Sequence, residues 1–367
     1  MTTPRTSNRR RRGALLLATS LSLLSVVAPV VHADPVAIAS QPTQPTKGPG
    51  ADGRCASVET TFDNSAHPGN PVHAFEPSGS ASASTGGRCN DRQRPTLFFA
   101  HGLNLSDPAD YAVLITHLVS IGNVVVFPTY QLNSGSKDAA LTAYRTVDDG
   151  YVQAASKQRR VDTSRIGFWG HSFGASMVPY LAQRSAARGW GKNAFWMTSV
   201  AMTFALGVGT GTIKVPSWTQ ALFVAMEEDE LADARIGDEV FEAMSLPAQQ
   251  KRHVVVNSDA HGQPPIIADH TSPSGGNGSG VDASDYLFMR FDDLLESCAV
   301  DHQCDGDFSN AGTWSDGTPV AASIVSPHPV DVGPYPAALA ECDGVYGQML
   351  NQDRIKRCGA THISVGL

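Results

Sequence analysis

Between residues 95 and 297 short apolar runs alternate with longer amphipathic stretches, and this rhythm leaves few folds open to the chain. A run that is apolar at nearly every position reads as a strand buried on both faces. The amphipathic stretches between such runs then supply the helices that cover those faces. Thr96–Ala100, Val124–Phe127, Ile166–Trp169, Phe195–Met202, Ala221–Met226 and His253–Asn257 read as strands, with residues 71–77 as an earlier edge strand. Helices are expected from Asp107-Pro108 to Gly122, over 138–156, 173–188 and 238–244, and up to about Leu295. In the first of these, Tyr111, Leu114, Ile115, Leu118 and Val119 share one face at helical spacing. The expected class is α/β, with a mostly parallel central sheet flanked by helices. No internal repeat is present.

The two ends differ from this middle. Arg9 to Arg12 precede an uncharged apolar run, Gly13 to Val31, and Val31-His32-Ala33 follows with small residues. Residues 1–33 therefore read as a secretory signal peptide cut after Ala33. A membrane anchor is the competing reading, disfavoured because Ser and Pro dilute a short run. Removing the five arginines of this segment takes the net charge from −8 to −13, which repels polyanions and argues against a nucleic-acid partner. Residues 34–54, rich in Pro, Gln, Thr and Gly, read as a loose leader, and 78–94 as a surface loop. Residues 55–297 are then the α/β domain. Residues 298–367, rich in Gly, Pro and Asp, read as a disulfide-stapled extension packed on it. A secreted protein, extracellular or periplasmic, with no stable membrane insertion after cleavage is expected.

Six cysteines in an exported chain point to disulfides, although fifteen pairings are open. Pairing of neighbours is expected: Cys55 with Cys89, Cys298 with Cys304, Cys342 with Cys358. No CxxC or Cys/His cluster at zinc spacing occurs, and Asp301, Asp305 and Asp307 lack a full calcium-loop pattern. No metal and no organic cofactor is expected.

Gly170-His171-Ser172-Phe173-Gly174 has the form Gly-x-Ser-x-Gly, weak alone but here set between a strand ending at Trp169 and a helix starting near Phe173. A sharp strand-to-helix turn lifts a serine hydroxyl above the sheet edge, and the next N–H opens a helix where negative charge is stabilised. His101-Gly102 closes the strand 96–100. With these motifs the chain resembles the α/β-hydrolase superfamily, in particular secreted bacterial serine esterases of the cutinase-like, chlorophyllase-like and platelet-activating-factor-acetylhydrolase-like kind. The resemblance spans about residues 70–297.

That resemblance implies Ser172 as nucleophile and the N–H groups of Leu103 and Phe173 as oxyanion donors. It also implies an acid after the Ala221 strand and a histidine after the last strand, in that chain order. Asp229 stands at the acid's offset, although Met226 occupies the place of the usual glycine and Glu227, Glu228 and Glu230 crowd it. His261, directly after the strand 253–257, is the expected base; His270 is its rival. His101 and His171 are expected to be scaffold. The Gly312–Val320 tract also looks familiar among such hydrolases, without a role attached. Tyr130 and Gln131 are expected to border the substrate pocket, with Phe204 and Trp218 as apolar walls or plain core. The short connection 203–220 leaves no room for a large lid, which favours a carboxylesterase acting on small or polymeric esters. The alternatives are a lipase or polyester hydrolase, a peptidase or acyltransferase on the same scaffold, and a surface binding protein on a dead hydrolase fold.

Overall fold

A computed structural model describes residues 38–79, 87–134, 136–203, 213–232, 234–275 and 283–328. The signal-peptide segment, Phe204, Cys342 and Cys358 lie outside the described residues.

The elements run β1 (Ala56–Asp63), β2 (Pro71–Ser78), a single helical turn α1 (Gly87–Asn90), β3 (Arg94–Ala100), α2 (Ala112–Ser120), β4 (Val124–Pro128) and α3 (Lys137–Lys157). They continue with β5 (Val161–His171), α4 (Phe173–Ala187), β6 (Ala194–Val200), β7 (Gln220–Met226), α5 (Ala234–Ala243), β8 (Lys251–Val256), α6 (Ala283–Glu296) and β9 (Ile324–Ser326). The strands form one sheet in the order β1-β2-β4-β3-β5-β6-β7-β8-β9. Pairing is parallel from β4 through β8 and antiparallel for β1 with β2, β2 with β4, and β8 with β9.

Every residue of β3, β4, β6 and β7 is buried, as a sheet covered on both faces requires. Side chains alternate between two cores. Phe98, Val126, Phe168, Met197 and Phe223 face one layer with α3, α4 and α5. Phe99, Val125, Trp169, Trp196 and Leu222 face the other with α2 and α6. Residues 71–77 do form a strand, but β1 lies outside it and makes the edge. Its side chains are almost all exposed, with Glu59 and Asp63 among them, so no apolar run marked it in the sequence. An exposed, charged edge strand resists pairing with other chains.

The ends of the described chain are tied to this body. Gly53 N–H donates to Ser120 Oγ at 2.7 Å and Gly50 N–H to Asp293 Oδ2 at 2.7 Å. Residues 50–53, within the stretch 34–54 expected to be a loose leader, are therefore held against α2 and α6. Cys55–Cys89 and Cys298–Cys304 are disulfides, as the neighbour pairing anticipates. Within the expected extension, β9 joins the sheet beside β8. Among the described residues no helix is long and apolar enough to cross a membrane.

The strand order creates the site. β4 lies on one side of β3 and β5 on the other. The helix after β3, α2, packs in one layer and the helix after β5, α4, in the other. The two connections part above the strand ends, and the crevice between them is where open α/β sheets hold ligands.

Candidate functional site

Ser172 occupies that crevice. It follows β5 directly and has φ 56° and ψ −120°, a strained conformation for a residue with a side chain. Its N–H donates to Val200 O at 2.9 Å, which ties the turn to β6. The flanking glycines let α4 start hard against the sheet. A Cβ on Gly174 would stand 1.9 Å from Ala100 O, and one on Gly170 would stand 2.5 Å from Gly174 O. The strain at Ser172 is thus imposed by close packing of strand, turn and helix, and it presents the hydroxyl to the loops after β7 and β8.

Those loops deliver an acid and a base in a line. His270 Nε2 is 2.9 Å from Ser172 Oγ, and His270 Nδ1 is 2.9 Å from Asp229 Oδ2 and 3.1 Å from Oδ1. A carboxylate only accepts, so Nδ1 carries the proton and Nε2 is the bare nitrogen that accepts the serine hydroxyl. Asp229 Oδ1 also takes the N–H groups of Leu231 and Ala232, at 2.8 Å each, which fixes the carboxylate independently of the histidine. Of the four consecutive acids only Asp229 is sheltered, its side chain 5% exposed; Glu227, Glu228 and Glu230 face solvent.

His261 is not brought to Ser172, which corrects the expectation that it is the base. Its Nε2 pairs with Asp316 Oδ2 at 2.7 Å, and its side chain is 39% exposed. The reason lies in the loop. After β8 the chain does not cross the sheet end at once. It folds back on itself, with Asp259 and Ile266 exchanging backbone hydrogen bonds at 2.8 and 2.9 Å. His261 sits at the outer end of this lobe, and only the return leg brings His270 to the crevice. A signal for the second position exists in the sequence: Asp269 Oδ1 accepts the N–H groups of Thr271 and Ser272, the turn that Asp-x-Thr-Ser favours.

The expected oxyanion donors are arranged by their neighbours. Phe173 opens α4, so its N–H lies at the positive end of a helix. The Leu103 N–H belongs to the peptide whose carbonyl is Gly102 O. That carbonyl accepts His101 Nδ1–H at 2.7 Å and Leu105 N–H at 3.1 Å. Because a trans peptide is planar, holding the carbonyl also holds the Leu103 N–H in the opposite direction. His101 is held in turn. Its Nε2 accepts Tyr130 N–H at 3.3 Å, and its ring stacks on Tyr130 with centroids 4.0 Å apart. Burial lowers the His101 pKa to about 4, against the opposing bond to Gly102. The ring is therefore neutral and acts as the scaffold expected of it.

The other pocket residues divide. Tyr130 is buried, its hydroxyl donating to His101 O at 2.8 Å and its ring 5.4 Å from that of Phe173, so it forms part of the wall behind the turn. Gln131, the next residue, is exposed. Trp218 does not border the site, contrary to expectation. Its Nε1 donates to Gly191 O at 2.9 Å, just before β6, at the end of the sheet opposite Ser172. Two exposed apolar side chains that sequence reading missed sit beside Asp229 and His270 in the chain: Leu231, 39% exposed, follows Asp229, and Ile267, 38% exposed, precedes His270.

The Gly312–Val320 tract also finds a place. Trp314 is buried with Ala39, Ile266 and Val320, and its Nε1 donates to Asp259 Oδ2 at 2.9 Å. Ala321 N–H reaches the same oxygen at 2.8 Å, and Gln263 N–H donates to Ala39 O at 2.8 Å. Both ends of the described chain thus clamp the lobe that precedes His270.

Among the described residues no group of three or more His, Cys, Asp or Glu side chains is arranged to hold a metal. No family model matches the chain, and a search of curated proteins returned no match.

Proposed function

We propose that the protein is a serine hydrolase of the α/β-hydrolase kind that cleaves carboxylic esters through an acyl-enzyme. The observation that carries this reading is the unbroken line Ser172 Oγ, His270, Asp229, with both contacts at 2.9 Å. The nucleophile follows β5, the acid β7 and the base β8, which is the chain order Ser, acid, His of that fold.

In the reaction His270 Nε2 accepts the Ser172 proton as Oγ attacks the acyl carbonyl. The carbonyl oxygen becomes an oxyanion, held by the N–H groups of Leu103 and Phe173; loss of one such donor costs about 10²- to 10³-fold in rate. Asp229 keeps the imidazole in the Nδ1–H tautomer and stabilises the imidazolium. The imidazolium gives its proton to the departing alkoxide, and water repeats the cycle on the acyl-serine. The residues present account for each proton moved. Exposed Leu231 and Ile267, close to Asp229 and His270 in the chain, favour an ester with an apolar acyl or polymeric part.

The test is hydrolysis of p-nitrophenyl esters from acetate to palmitate by the oxidised protein and by Ser172→Ala. Turnover that vanishes in the variant supports the reading, and the chain-length optimum separates an esterase from a lipase. A folded protein with no rate on any of these esters overturns it, in favour of peptide or acyl-transfer substrates.

A further inference from the structure

The residue before the nucleophile is tied to both halves of the proposed machinery. His171 ends β5 and is 1% exposed. Its Nε2 is 2.8 Å from His270 O, and its Nδ1 is 2.9 Å from Tyr111 Oη. Tyr111 Oη in turn lies 2.8 Å from Gly102 N. The proton positions follow from the partners. A carbonyl only accepts, so His171 Nε2 carries a proton. Burial, reinforced by the nearby His270 ring, pushes the His171 pKa down to about 3, so the ring is neutral and Nδ1 is bare. The Tyr111 hydroxyl therefore donates to Nδ1 and accepts the Gly102 N–H. Burial keeps that hydroxyl protonated, its pKa driven up.

The hydrogen-bond chain thus reads Gly102 N–H to Tyr111 O–H to His171 ring to His270 C=O. At one end it holds the turn that carries the Leu103 N–H. At the other it holds the backbone of the residue that contacts Ser172. The two ends come from different connections, after β3 and after β8, strands that lie on opposite sides of β5 in the sheet.

We propose that His171 is a positioning residue that locks the base, His270, and the oxyanion-holding turn, Gly102-Leu103, into one register across the Ser172 crevice. The proposal rests on the hydrolase reading above. Among the described residues, the other hydrogen bonds of His270 are made by its ring, to Asp229 and Ser172. The His171 bond adds a grip on its main chain, which fixes the backbone from which the ring reaches Asp229 and Ser172. A positioning error of about 1 Å is enough to cost roughly 10²-fold in rate.

The experiment compares His171→Leu, His171→Gln and Tyr111→Phe in the full chain. Two readouts are used: kcat and KM on p-nitrophenyl butyrate, and the rate at which a fluorophosphonate labels Ser172. His171→Leu keeps the bulk and removes both bonds. It is expected to lower kcat and the labelling rate by about 10- to 100-fold with KM within about twofold. His171→Gln, whose amide can both donate and accept, is expected to recover most of that loss. Tyr111→Phe breaks only the oxyanion-turn half and is expected to fall by about three- to tenfold. Wild-type rates in His171→Leu, or equal losses in the Leu and Gln variants, overturn the proposal. Should His171→Leu not fold, an unaltered rate in Tyr111→Phe overturns it. A wild type that is neither labelled nor active on esters overturns the hydrolase reading itself. That result is distinct from failure of this proposal, in which wild type and variants react alike.

Discussion

A serine hydroxyl is a poor nucleophile until something accepts its proton, so at the scale of single residues the decisive question is which histidine is within reach. His270 is, at 2.9 Å, with its other nitrogen on a sheltered carboxylate. His261 instead forms an exposed pair with Asp316, whose pKa is held down to about 2 by the Thr318 N–H and by His261 itself. His270→Ala is therefore expected to abolish ester hydrolysis, with kcat falling by about 10⁴-fold or more. His261→Ala should leave kcat within about threefold, as a substitution at an exposed site does. Steady-state kinetics on one short-chain p-nitrophenyl ester reads both. The reverse pattern would return the base to the position closest after β8.

At the scale of elements, the β8–α6 connection is the part of the site that most needs outside support. It contains no strand or helix longer than a single turn between Val256 and Ala283 in its described part, yet it carries His270 to Ser172. The support comes from the two ends of the described chain. Asp259 gathers Trp314 Nε1–H, Ala321 N–H and His261 N–H. Burial opposes its ionisation, but these donors outweigh it and hold the carboxyl below the usual carboxylate range. Trp314→Ala removes the plug from this lobe and frees a bond to Asp259. It is expected to lower the unfolding free energy by about 3 kcal/mol. It should also lower kcat several-fold well below the melting temperature, because the lobe leads directly to His270. Denaturant unfolding and kinetics on the same preparation check both; a stability loss with unchanged kcat would mean that the clamp only holds the fold together.

At the scale of the whole molecule, ionisation links the amino-terminal arm to the body. The buried His117 ring lies 3.0 Å from Asp52 Oδ1 on the arm and 3.0 Å from Asp293 Oδ1 on α6. Burial alone would lower its pKa, but the two carboxylates reverse that and raise it. Nearby, burial raises Glu296 from 4.5 to about 7, against the bond donated by Asn123. Both groups hold their protons more tightly folded than unfolded. Their stabilising contribution is full below the unfolded values and is lost as pH rises through the folded ones. The urea midpoint is therefore expected to fall as pH rises from about 4.5 through about 7, with His117 carrying the fall on above 6.5, and Glu296→Gln to make that fall shallower. A midpoint that rises over this range would show that other groups dominate.

What the sequence alone determined is whatever local pattern encodes. Runs of Val, Phe and Leu at every position read as the inner strands, since only a two-sided core tolerates them. Gly170-His171-Ser172-Phe173-Gly174 at a strand-to-helix boundary marked the strained turn, and Asp229 was legible at its offset despite three neighbouring acids. The edge strand β1 was not legible, because a strand exposed on both faces has no apolar signature. Nor was the short β9, which is three residues paired with β8. Tertiary structure decided the rest. Which histidine meets Ser172 depends on how a loop folds back, and that depends on Ala39 and Trp314, far from it in the chain. The tautomer of His171, the direction of the Leu103 N–H and the docking of residues 38–54 are likewise set by partners distant in sequence. Hydrogen bonds and packing act over a few ångströms of space, and only the folded chain decides which residues share that space.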